Sequence, residues 1–137
     1  MNNYKYYDYL YRNNINMNNQ NLFNPKEGFE KGNMFSNLYS EYKNYSSRNL
    51  NPKTEQEKLL YELDAYSFAA HDLNLYLDMH PEDQSMVTLF NDYRRKIEEV
   101  TRNYEEKYGP LMLNSQEMDN KTFSWVNSQW PWEGNNV

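Results

Sequence analysis

The residues best equipped for chemistry are His71, Asp72 and His80, in the run AAHDLNLYLDMHP. Paired helices carrying such groups invite a di-metal carboxylate reading. That chemistry needs Glu-x-x-His pairs projecting inward from several helices. Three residues before His71 and His80 stand Phe68 and Leu77, and neither can ligate a metal. The chain has no cysteine, which removes disulfides, thiolate-bound zinc, iron–sulfur clusters and thiol catalysis. It also lacks a glycine-rich phosphate loop and a nucleophile elbow. His80, just before Pro81, reads as a residue that fills a corner and faces solvent. Asp72 breaks an otherwise apolar stripe. It reads as one half of a buried salt bridge to a partner, or as a capping contact with a linker. No catalytic residue, metal ligand or cofactor is assigned on this basis, and the chain does not read as an enzyme.

The elements that would carry these residues are two helices. Thr54-Glu55-Gln56-Glu57 is a capping box, with Thr54 as N-cap and Glu57 at the third helical position. Beyond it Leu59, Leu63, Tyr66, Ala70, Leu73 and Leu77 recur at steps of three and four, as one apolar stripe. A second stripe of Tyr61, Ala65, Phe68, Leu75 and Met79 runs beside it, interrupted by Asp72. Pro81 ends this helix near residue 79, and Pro81, Glu82 and Asp83 suit the first turn of the next. The second helix carries a near-heptad seam through Met86, Leu89, Phe90, Tyr93, Ile97, Val100, Tyr104 and Tyr108, and Gly109-Pro110 closes it. Its other face offers i,i+4 pairs such as Arg94 with Glu98 and Arg95 with Glu99.

The fold expected is therefore all-α: an antiparallel two-helix hairpin over about 54–79 and 82–108, each arm on the order of 37 Å long. The second helix can cover only one stripe of the first. Two helices alone make a poor core. The second stripe must be covered by the segment before the hairpin, by the tail after it, or by a partner.

The flanks differ in character. Residues 1–20, MNNYKYYDYLYRNNINMNNQ, are low in complexity and read as a disordered Tyr/Asn-rich arm. Residues 21–53 scatter apolar anchors, Phe29 and Phe35 among them, between Pro25, Gly28 and Gly32, before a polar linker. That pattern fits a turn-rich docking segment with a short helical turn near 34–42. The tail is irregular and holds all three tryptophans, Trp125, Trp130 and Trp132. Indoles so placed are anchors rather than core, and Pro131 holds its two neighbours apart. The residues expected to bind a partner are thus Tyr61, Phe68, Leu75, Met79, Phe29, Phe35, Trp125, Trp130 and Trp132.

Charge is uneven. Residues 1–53 carry seven Lys/Arg against four Asp/Glu, and residues 54–137 carry seven against sixteen. A basic arm on an acidic body suits self-association or acidic neighbours, or simply solvates the surface. It is too weakly basic for nucleic acid. No apolar run reaches the length of a membrane span, and residues 1–20 lack the apolar core of a signal peptide, so a cytoplasmic origin is expected.

The run LDAYSFAAHDLNLYLDMHPEDQSMVTLFNDY, followed by YEEKYGPL and closed by QWPWE, resembles the spore coat protein CotJB family of endospore-forming bacteria. The resemblance covers about residues 54–137. The stretch NPKEGFEKGNMFSNLYSEYKNY is similar, more weakly, to the short CotJA-type coat peptide of the same operon. The long Tyr/Asn-rich arm departs from a minimal family member. The resemblance implies a structural component made in the mother-cell cytoplasm and deposited in the spore coat. It implies other coat proteins as partners, among them the operon's manganese-catalase-like protein. It also leaves open an accessory subunit that stabilises that protein, and it carries no enzymatic activity.

Overall fold

A computed structural model of the chain describes residues 21–47, 49–118, 123 and 126. The expected arm at 1–20 and the three tryptophans lie outside the described residues. Among the described residues three α-helices follow in order: α1 (Pro25–Lys31), α2 (Glu55–Met79) and α3 (Gln84–Tyr108), then a 3-10 turn at Gln116–Met118. The described residues are all-α, apart from one isolated antiparallel bridge between Leu22 and Phe35.

Each helix begins where a side chain satisfies its free N–H groups. The Thr54 hydroxyl accepts from the Glu57 N–H at 3.1 Å, and the Glu57 carboxylate accepts in return from the Thr54 N–H at 3.2 Å. The same carboxylate takes the Lys53 N–H at 2.6 Å, and these backbone donors, Lys53 first, hold the Glu57 carboxyl below its usual range. At α3 the start moves. Asp83 does not enter the first turn as expected but caps it, accepting from the Met86 N–H at 3.2 Å. Pro81 and Glu82 are left in the turn between the helices. A carboxylate one residue outside a helix meets free N–H groups, which explains the later start.

α2 and α3 pack as the antiparallel hairpin. Leu73, Tyr93 and Met86 share its core cluster, and Val100 and Tyr104 continue the buried seam of α3. At the open end Gln56 donates to the Tyr104 hydroxyl at 3.0 Å, and Lys107 pairs with Glu55. At the closed end the Tyr76 hydroxyl donates to Asp83 at 3.1 Å. The ion pairs on α3 differ from the i,i+4 set expected. Arg95 joins Asp92, and Lys96 reaches both Glu99 at 3.3 Å and, across the hairpin, Glu62 at 3.8 Å. Long exposed side chains choose among several near-equal partners, so spacing alone does not pick one.

The helix in the first flank lies at 25–31 rather than 34–42. Asn24 caps it by accepting from the Glu27 N–H, Pro25 stands in its first turn, and Gly32 ends it in the left-handed region at φ 71°. The Phe23 N–H to Met34 carbonyl bond and the Ser36 N–H to Asn21 carbonyl bond, both 2.8 Å, tie the two ends of this segment together. The result is a closed loop, residues 21–36, here called the clasp. It packs on α2 along a face beside the one that meets α3. α2 thus has two neighbouring faces covered, and Ala65, Ala69 and Ala70, small enough to admit close neighbours, are all buried.

Candidate interaction site: an aromatic groove and its clasp

Residues of the second stripe stand on one face of α2 because their spacing returns them there each turn. This face forms a groove, and the clasp fills most of it. Phe29 sits with its ring centroid 6.1 Å from those of both Tyr61 and Phe68. Met34 is fully buried and joins the same core cluster as Leu73. Phe35 lies 5.2 Å from the Tyr76 ring. The tilted ring pairs are geometries aromatic quadrupoles favour.

Two carboxylates fix the register. Asp72 accepts the Met34 N–H at 2.8 Å. The carboxylate that broke the apolar stripe therefore serves a backbone donor of the flanking segment, a charge-assisted bond inside a half-buried site. Glu30, on the clasp, accepts from the Tyr61 hydroxyl at 2.7 Å and from the Leu50 N–H at 3.0 Å. Its second bond draws the returning linker against α1. Close packing also sets Gly28. A Cβ there would stand 2.3 Å from the Met34 sulfur and 3.3 Å from the Asn33 carbonyl oxygen.

The clasp stops short of the end of α2. The chain turns away at Ser36–Leu38, and Leu75 and Met79, on the same face, stay 52% and 78% exposed. Of the residues expected to bind a partner, the structure brings Phe29, Tyr61 and Phe68 together. It places Phe35 on Tyr76 and leaves Leu75 and Met79 open. Tyr76 belongs to the groove although sequence reasoning did not select it, and Met34 and Asp72 join it, Asp72 through a backbone N–H rather than the salt bridge that is one of its two readings. The signal available for Asp72 was a charge in an apolar stripe. His80 is exposed, as its corner position suggested, and stacks on Tyr76 at 4.4 Å between centroids.

Burial, then the bond to Glu30, pushes the Tyr61 hydroxyl up to about 12, and burial raises Tyr93 as well. Both groups hold their proton longer in the folded chain than in the unfolded one, where tyrosine titrates near 10. The contribution of Tyr61 is therefore full below about pH 10 and lost as the pH rises through about 12, and that of Tyr93 also begins to fall above about pH 10. Thermal midpoints measured from pH 8 to pH 12 should fall over that interval. A fall just as steep in Tyr61→Phe/Tyr93→Phe would remove the two tyrosines as its cause.

Among the described residues no cluster of His, Asp and Glu is placed to hold a metal, and no helix is long and apolar enough to cross a membrane. The described chain is an all-α hairpin whose distinguishing surface is an aromatic groove filled by a peptide segment. The family model described as CotJB protein matches residues 57–133, more than half of the chain. The chain belongs to the CotJB family and is a spore coat protein. Comparisons with curated proteins and with solved structures found no match. The match begins inside α2, so the groove wall lies within the family unit and the clasp lies outside it.

Proposed function

We propose that this coat protein is a structural component that works by protein–protein contact rather than by catalysis. The observation that carries the reading is the open end of the groove. Leu75 and Met79 continue an apolar face that is covered everywhere the clasp reaches, and they are exposed where it ends. Unpartnered apolar surface continuous with a packed groove is what an interface core looks like before assembly. Trp125, Trp130 and Trp132 are proposed as further anchors, because tryptophan is enriched where interfaces gain most of their affinity. Phe29, Phe35, Tyr61 and Phe68, packed along the same face, are proposed to extend this surface. The proposed partners are other coat proteins, first among them a manganese-catalase-like one, with the chain made in the mother cell.

The test is co-expression with such a catalase-like coat protein, followed by size-exclusion chromatography with light scattering. A complex of defined mass is expected, and Leu75→Asp/Met79→Asp should weaken it at least tenfold, since each residue loses apolar burial of about 1.5–3 kcal/mol. Separate elution of the two proteins would reject this partner. A complex indifferent to the double substitution would reject the surface.

A further inference from the structure

We propose that the chain's own residues 127–137, outside the described residues, dock on the open end of the α2 groove and seat Trp130 and Trp132 on Leu75 and Met79. The chain beyond α3 already heads that way. After Gly109 it folds back on the helix it has left. The Leu111 N–H donates to the Glu105 carboxylate at 2.9 Å, and Ser115 and Gln116 share a shallow groove with Ile97 and Thr101. Leu111, Ser115 and Met118, at steps of four and three, are half-buried on this return, while Met112 and Leu113 stay exposed. The return runs from the open end of the hairpin toward the closed end, where Leu75 and Met79 lie. Phe123 and Val126 are exposed, so the anchoring falls to the indoles that follow.

Reach and spacing both fit. Ile97 stands about 20 Å along α3 from Gln84 at the closed end, and α2 lies about 10 Å across from α3. Residues 119–129 can span roughly 36 Å before Trp130. Leu75 and Met79 are one helical turn apart, about 6 Å along α2. Trp130 and Trp132 flank Pro131, which cannot continue a helix and favours extended chain before it. In extended backbone, residues two apart stand on one face at about 6.6 Å. Each indole can therefore cover one of the two exposed side chains. The family match supports the pairing. It takes in Leu75, Met79 and all three tryptophans, whereas the clasp falls outside it. The tether favours the chain's own segment over another copy's, because it holds the tail at an effective concentration in the millimolar range. The inference rests on the reading of Leu75, Met79 and the tryptophans as anchors, and it joins them. Docking brings the indoles beside the groove before a partner arrives, which lowers the ordering cost of binding.

The test uses the chain alone, so a tail that stays free is told apart from a catalase-like partner that does not bind. In a Trp125→Phe background only Trp130 and Trp132 report by fluorescence. Their emission should lie to the blue of the urea-unfolded chain. Leu75→Asp/Met79→Asp should move it to the red while the helical circular dichroism is kept. Emission unmoved by the double substitution would overturn the proposal. Cross-linking reads the position. The chain has no cysteine, so Asp78→Cys/Glu133→Cys and Lys58→Cys/Glu133→Cys can be compared with a short bis-maleimide in dilute solution. Asp78 and Lys58 are both exposed, and they lie about 30 Å apart along α2. Closure within one chain should be at least tenfold faster for the Asp78 pair. Equal rates, as a free tail would give, would overturn the proposal. So would cross-links formed only between chains, the mark of a tail seated on a second copy.

Discussion

Met34→Ala should release the clasp and leave the hairpin folded. Met34 is fully buried between the clasp and α2, and it is the clasp's only fully buried side chain among the described residues. Truncating a buried methionine costs about 2–5 kcal/mol, counting the lost transfer energy and the cavity. A seven-residue helix has no stability of its own in water, so the clasp has little to set against that loss. The carboxylate of Asp72 adds to the effect, because its bond to the Met34 N–H holds only while the segment is seated. Native-state hydrogen exchange would read the outcome residue by residue. Protection of the Phe23, Met34 and Ser36 amides, which bond only when the clasp is closed, should fall by roughly thirtyfold or more. The amides in the middle of α3 should keep theirs. Equal loss in α3 would mean that the clasp is an integral part of one cooperative unit, and unchanged clasp amides would mean that Met34 does not hold it.

The hairpin was legible because its signals are local and repeated. Thr54 and Glu57 announce a helix start, Pro81 and Gly109 announce ends, and of the seam of α3 Met86, Tyr93, Val100 and Tyr104 are buried, Leu89, Phe90 and Ile97 half-buried, and Tyr108 is left exposed at the open end. The second stripe of α2 was legible as a surface in need of cover. What covers it was not decided in advance, since the preceding segment, the tail and a partner all carry aromatic residues. The choice rests on a long-range contact, Met34 with Asp72, that no periodicity encodes. The position of α1 was written in the sequence all the same. Asn24-Pro25 and Gly32 are start and stop signals, and they outweigh the apolar spacing at 34–42 because caps satisfy backbone groups that apolar spacing leaves free. Leu75 and Met79 were chosen for their place on the second stripe, and the geometry gives their exposure a cause in the turn at Ser36–Leu38.

Leu73→Ala should instead destabilise the whole molecule. Leu73 is fully buried and belongs to the cluster that contains Met34 from the clasp and Met86 and Tyr93 from α3. It shares that cluster with both elements that pack on α2, so its cavity cannot be closed by moving one of them alone. A cost of about 2–5 kcal/mol is expected, near the upper part of that range if neither element relaxes. For a domain of this size that lowers the thermal midpoint by roughly 10 °C or more. Unlike Met34→Ala, the loss should appear equally in clasp and α3 amides, because the clasp rests on a helix that is itself less stable. The pair also tests whether the elements are coupled. If the cavities merge, Met34→Ala/Leu73→Ala should cost measurably less than the sum of the single substitutions, by 0.5 kcal/mol or more on the usual scale of neighbouring sites. Strict additivity would show that Met34 and Leu73 are stabilised independently, and would place the boundary of the cooperative unit between the clasp and α2 rather than at the edge of the folded chain.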